Sequence, residues 1–240
     1  MLQALIFDVD GTLANTEDAH RAAFNQAFAQ AGLCWHWDEA RYIGLLEISG
    51  GKERILHYWS QVQPNLGGLD GADVQALVNR LHALKTLAYE RAVQDGSVPL
   101  RAGVLPLLQA ARSQGVQLAI ATTTSTANIG ALLQATIGAD WQQYFTVVED
   151  ASTAPVKKPH PQVYLQALQR LGLPASDCVA FEDSANGLTA ARAADLATVV
   201  TPNRFTEHHL FEGALRLLPS LEGVTLELLH TWLEGQAAMA

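Results

Sequence analysis

Five short apolar runs punctuate this chain, at residues 2–9, 116–122, 145–148, 178–181 and 197–200. Segments of helical period lie between them, at 104–113, 127–137, 162–171 and 187–194. The runs are continuous instead of alternating apolar with polar, which is what strands buried on both faces require. Gly115, Gly138 and Gly172 follow three of the helical segments, where a glycine ends a helix. Strand and helix in strict alternation predict an α/β fold, a doubly wound parallel sheet with helices on both faces.

One interval breaks this rhythm. Residues 122 and 158 are 36 positions apart and 158 and 183 are 25 apart, each near the roughly 30 residues of one βαβ unit. Residues 10 and 122 are 112 apart. The excess carries helical patterns and no convincing strand, most clearly at 19–31 and 74–93, with Gly50-Gly51 opening another helix toward Trp59. We expect an α-helical cap domain of residues 16–95, inserted into a Rossmann-like core of residues 1–15 and 96–240. The insertion point is the carboxyl end of a strand, the edge where open α/β sheets bind ligands. The insert should therefore cover the site. Trp35, Trp37 and Trp59 are expected to form its core.

Charge narrows the partners. The net charge is −9 with no basic run, although 49% of residues are hydrophobic and only 16% charged. Phosphate backbones and anionic membranes are bound mainly by clustered Lys and Arg, so neither nucleic acid nor a membrane surface is expected. A small anion needs only a local cationic pocket. Cys34 and Cys178 match no metal or redox spacing, and the first residues lack a basic leader. The expectation is a cytoplasmic monomer.

The chemistry-bearing residues sit at the strand ends. Asp8-Val9-Asp10-Gly11-Thr12-Leu13 closes the first run. Two carboxylates so close call for a cation or a shared proton, and magnesium, a hard ion, prefers oxygen ligands. A carboxylate can also attack phosphorus. Thr122 ends the second run, Lys158 precedes Pro159, and Glu182-Asp183 follows the fourth run ahead of Ser184-Ala185-Asn186-Gly187. Four such signals, in order on strand ends, are hard to explain as packing alone.

In these four motifs the chain resembles the haloacid-dehalogenase-type phosphohydrolases (HAD). The helical insert is similar to the small cap of the subgroup that contains β-phosphoglucomutase and phosphoglycolate phosphatase. The CbbY-type phosphatases are closer still, through Glu17, His20, Tyr42, the Gly50-Gly51-Lys52-Glu53-Arg54 run, Ala121 to Ser125 and Lys157-Lys158-Pro159. That resemblance implies hydrolysis of xylulose-1,5-bisphosphate or a similar sugar bisphosphate. It implies Asp8 as nucleophile, Asp10 as general acid and then base, and Thr122 and Lys158 on the phosphoryl oxygens. Mg2+ would be held by Asp8, Asp10 through its carbonyl, and Asp183, with Glu182 nearby. One departure is residues 148–155, which lack the usual Gly-Asp pair.

The insert carries the argument about substrate. Gly50 and Gly51 ahead of Lys52 and Arg54 make a cationic helix start, a ready site for a second phosphate. His82 and Lys85 share a helix face and add charge, and Thr123 belongs to the matched turn after the second run. Glu17 and His20 are expected to meet substrate hydroxyls, with Tyr42 beside them. Two other functions fit part of the pattern. A sugar-phosphate mutase resembling β-phosphoglucomutase shares the Asp pair and His20, but has an Arg-bearing loop where Gly51-Lys52 stands. A phospho-accepting signalling receiver shares Asp, Thr and Lys, but carries its acceptor later in the chain and lacks a cap of this size.

Overall fold

The computed structural model describes residues 1–62 and 71–237, with side chains through 235. Six parallel strands form one sheet in the order β3-β2-β1-β4-β5-β6. They are β1 (Ala4–Phe7), β2 (Gln117–Ala121), β3 (Val147–Glu149), β4 (Cys178–Glu182), β5 (Ala197–Val200) and the two-residue edge β6 (Arg216–Leu217). The doubly wound sheet expected from the alternation is what forms.

Register explains how β1 is buried on both faces. Phe7 pairs with Ile120 on one side and Phe181 on the other, and the two phenyl rings stack at 4.4 Å. Leu5, Phe7, Ile120, Val179 and Phe181 pack one face against α5 (Val104–Ser113), α6 (Thr126–Thr136) and α9 (Leu226–Ala237). Ala4, Ile6, Ala119, Ala121 and Ala180 pack the other against α7 (Gln162–Leu171) and α8 (Ala185–Arg192). Small residues predominate on that second face, which lets α7 and α8 sit close.

The long interval holds α1 (Glu17–Gln30), α2 (Glu39–Leu45), α3 (Gly51–Val62) and α4 (Gly71–Gln94). Residues 63–70 of it lie outside the described residues. Phe24, Phe28, Trp37, Tyr42, Tyr58 and Trp59 form a separate aromatic cluster there, with Trp35 packed against it, as expected for the tryptophans. The chain leaves and re-enters the sheet domain at one place. Ala14 bridges Leu100, and the Arg101 N–H donates to the Leu13 carbonyl at 2.8 Å. The helical layer is thus tethered through two adjacent strands of chain.

Candidate active site

The carboxyl ends of β1, β2 and β4 converge because those strands are neighbours in register. Asp8 continues β1 and stays 7% exposed. Lys158, from the loop before α7, reaches between the strand ends. Its Nζ donates to Asp8 Oδ1 at 2.6 Å, to Glu182 Oε1 at 2.6 Å and to the Ala121 carbonyl at 2.9 Å. Burial alone would lower the lysine, but the carboxylates of Asp8 and Glu182 outweigh it and hold the ammonium charged. Tyr164 on α7 donates to the same Glu182 oxygen.

Asp183 stands beside Asp8 and Glu182 as a third buried carboxylate. Asp8, Glu182 and Asp183 bring carboxylate oxygens within 4.8 Å of one another. Burial pushes Asp8 up to about 7, with Lys158 opposing and Glu182 adding to the rise. Burial and both acidic neighbours hold Asp183 well above the usual carboxylate range. Oxygen donors that resist ionising together fit a hard divalent cation. The loop is shaped for them: at Gly11 (φ +81°) a Cβ would stand 2.1 Å from Asp183 Oδ2. Glu182 belongs to that three-carboxylate cluster and also positions Lys158. Its Oε1 is taken by Lys158 and Tyr164, and it does not line the cleft.

Asp10 turns away from this centre toward α1. Its Oδ1 accepts from Thr16 Oγ1 at 2.7 Å and pairs with His20 Nε2 at 2.8 Å. Thr16 stands at the start of α1 but gives its hydroxyl to Asp10 and makes no cap of its own. Burial lowers His20 to about 4, aided by Lys85, so the ring is neutral and donates Nε2–H. Burial would raise Asp10, and the His20 and Thr16 contacts reverse that, leaving it ionised below the usual range.

A cleft of about 550 Å³ opens between these strand ends and the helical layer. From the sheet side it gathers Asp8, Asp10, Thr122, Thr123, Lys158 and Asp183. Glu17, His20, Gly50, Gly51, Lys52, Arg54, His82 and Lys85 face it from the helices. Burial pushes Glu17 up to about 7, with Asp10 adding, and brings Lys85 down to about 8. At Gly51 a Cβ would meet the His82 ring at 2.9 Å, so the glycine lets α3 start against α4.

Tyr42 and Arg54, both expected to meet substrate, are placed differently with respect to the cleft. Tyr42 is fully buried behind Glu17, to which it donates at 3.1 Å, and it does not line the cleft. Arg54 lines the cleft with three of its five guanidinium N–H donors engaged by the protein. It donates to the carbonyls of Leu45 at 3.0 Å and Ile48 at 3.2 Å and to the Tyr42 hydroxyl at 3.3 Å. It holds the turn after α2, leaving Lys52 as the outward cation of that helix start.

Several site residues escaped the sequence reading. Asp150 organises the segment that lacked a Gly-Asp pair. It accepts from the Ser152 N–H at 2.7 Å and from the Thr126 hydroxyl at the start of α6. Asn203 Nδ2 donates to Asp183 Oδ2 at 2.8 Å. Arg101 binds the Gly11, Thr201 and Pro202 carbonyls. A threonine directly before Glu17-Asp18 was a readable helix-start signal; Asn203 and Arg101 carried none.

Comparison with known proteins matches this geometry. A family model for haloacid dehalogenase-like hydrolases covers residues 2–195. Protein CbbY (plasmid) of Cupriavidus necator is 54% identical over 220 residues, 92% of this chain and 86% of that protein. The crystal structure of CbbY from Rhodobacter sphaeroides in complex with phosphate matches with a TM-score of 0.88 at 40% identity, covering 96% of this chain and 100% of that one. An Asp-to-Asn mutant of that protein in complex with xylulose-(1,5)bisphosphate matches at 0.86 and 40% identity, over 95% and 99%. No described helix is long and apolar enough to cross a membrane. Matching over nearly its whole length, with the acidic strand ends and buried lysine in place, the chain belongs to the haloacid dehalogenase-like hydrolases as a CbbY-type phosphatase.

Proposed function

We propose that the chain hydrolyses a phosphate ester of a sugar bisphosphate, xylulose-1,5-bisphosphate before others, through a phospho-Asp8 intermediate with magnesium as cofactor. The observation that carries this reading is the Lys158 clamp. One buried ammonium holds Asp8 at the floor of the cleft, beside Thr122 and the acidic pair. A relative at 40% identity was crystallised with that bisphosphate, which supports the substrate class.

The steps follow from the residues. An Asp8 carboxylate oxygen attacks phosphorus while the ester oxygen departs with a proton from Asp10. Asp10 then takes a proton from the water that attacks phosphorus, and phosphate leaves with Asp8 restored. The contacts of Asp10 with Thr16 and His20 favour its ionised form, which suits the second step. The first requires those two bonds to give way to one with the ester oxygen. Lys158 and the Thr122 hydroxyl hold the phosphoryl oxygens as charge develops. Asp8, the Asp10 carbonyl and Asp183 would hold magnesium, whose charge would let the carboxylates stay ionised and offset the phosphoryl group. Residues 16–95 act as the cap of a core of residues 1–15 and 96–240, with Gly50, Gly51, Lys52, His82 and Lys85 facing the second phosphate and Glu17 and His20 the hydroxyls.

Phosphate release across a panel of sugar mono- and bisphosphates, with magnesium, tests the reading. Xylulose-1,5-bisphosphate should turn over fastest, and Asp8→Asn should abolish release. Turnover by that variant with metal bound normally removes the covalent mechanism. Conversion of a monophosphate to its isomer without release makes the enzyme a mutase.

A further inference from the structure

The loop after β5 touches both halves of the molecule. On the core side, Asn203 donates to Asp183 Oδ2 at 2.8 Å, and the Arg101 guanidinium holds the Thr201 and Pro202 carbonyls just before it. Asn203 also closes the loop on itself. Its Oδ1 accepts from the Phe205 N–H at 2.9 Å, and its carbonyl accepts from the N–H groups of Thr206 and Glu207. The amide that orients Asp183 therefore also sets where Phe205 stands.

On the cap side the same loop touches α1, α2 and the turn after α2. Phe205 is 4% exposed and belongs to the cap's aromatic cluster, edge-on to Tyr42 at 6.2 Å. Arg204 pairs with Asp18 on α1 and stands 3.6 Å from Glu39 on α2. His209 Nδ1 accepts from the first N–H of α8 at 3.2 Å, and its Nε2 stands 3.1 Å from Glu47, in the turn after α2. Asn186 closes the link by donating to the Glu47 carbonyl at 3.1 Å. His208, His209 and Glu47 cluster as metal ligands would, but His209 has its Nδ1 committed as an acceptor. Its Nε2 then carries the proton, which leaves no lone pair there for a metal.

We propose that residues 203–209 form a clasp coupling the seating of the cap to the position of Asp183, with Asn203 as a positioning residue and Phe205 as the grip. The proposal rests on the reading of Asp183 as a magnesium-holding carboxylate. Mechanically, Phe205 seats only when the cap is down, and the Asn203 amide is then held against Asp183. Cap closure over a substrate would thus tighten the cation site at the moment it is used.

Magnesium binding to the full-length protein, followed by calorimetric titration without substrate, tests this. Asn203→Ala should weaken binding about 10-fold or more, as loss of a ligand's hydrogen-bonding partner does. Phe205→Ala touches none of the carboxylates, yet should weaken it about fivefold or more if the two are coupled. Phe205→Leu, which keeps an apolar plug, should restore most of the loss. The double variant should be weakened by less than the two single losses combined. Should Phe205→Ala fail to fold, Arg204→Ala cuts the same grip at an exposed position and should shift binding in the same direction by about twofold. A folded Phe205→Ala or Arg204→Ala that binds magnesium like the parent overturns the clasp. If the parent protein itself takes up no magnesium, the cation reading fails and the clasp falls with it.

Discussion

Two buried charged centres face each other across the cleft, and they are stabilised in opposite ways. In the core, the Lys158 ammonium has two carboxylates at 2.6 Å and a carbonyl at 2.9 Å. In the cap, Lys85 is just as buried but lies over aromatic faces, 5.2 Å from Phe24 and 5.1 Å from Tyr89. His20 stacks on the same Tyr89 ring at 4.0 Å. Rings stabilise a cation far less than a carboxylate does. The carboxylates hold Lys158 charged, whereas burial lowers Lys85 to about 8 and, with Asp10 adding, raises Glu17 to about 7. In the core only the lysine is firmly charged, since burial raises Asp8 beside it to about 7. In the cap, burial shifts both Glu17 and Lys85 toward their neutral forms.

The largest test falls where the centres meet, at Asp10, a core residue whose ionisation is set by Thr16 and His20 on the cap side. Asp10→Asn should lower kcat by about 10²–10⁴ while magnesium binding is largely kept, since the ligand assigned there is the backbone carbonyl. A drop of only a few-fold with a sugar bisphosphate would return proton transfer to another group.

Next in size is Lys52, an exposed cation of the cap that lines the cleft. Lys52→Ala should remove a charge-assisted contact of about 1.5–3 kcal/mol, which is roughly 10–150-fold in kcat/KM for a bisphosphate. An aryl monophosphate gives this residue nothing to grip and should change much less. Equal losses for both substrates would assign Lys52 to closure or folding.

The smallest effect probes the buried carboxyl of Glu17 in the cap. Glu17 is raised from 4.5 to about 7 because burial and Asp10 disfavour its charge. A carboxylate raised in the folded state supports stability below its unfolded pKa and loses that support as pH climbs through the folded one. Glu17→Gln stays neutral and can still accept from Tyr42. Without magnesium, its melting temperature should therefore gain on the parent's between about pH 5 and pH 8. The gain should be several degrees, at about 2–4 °C per kcal/mol for a chain of this size. Parallel melting curves across that range would mean that Glu17 is not charged at the cap's expense.

The same contrast separates what could be read in advance from what could not. Helices α5 and α7 run over the very residues their periodicity marked, because each carries an unbroken apolar stripe and ends near a glycine or proline. The strand ends bearing Asp8, Thr122 and Glu182-Asp183 were equally legible. Helix α2 was missed: seven residues are too few to show a period, and its only local mark is Asp38 accepting from the Arg41 N–H. β6 is two exposed residues with no apolar run, and it exists only because β5 offers an edge to pair with. Tyr42 supports Glu17 from behind the cleft, whereas Arg54 lines the cleft and also holds the turn after α2.

What the amino-acid sequence determined by itself was the order of strands and helices and which side chains end up at strand termini. Those depend on hydrophobic period and turn chemistry within a few residues. The tertiary structure decided how those side chains are paired and charged. Lys158 meets Asp8 across 150 positions, Arg101 meets Gly11 across 90, and Arg204 meets Asp18 across 186. No local pattern encodes such meetings. They arise because parallel strands bring distant chain ends to one edge and burial there removes water, so each group's charge is set by the neighbours that folding supplies.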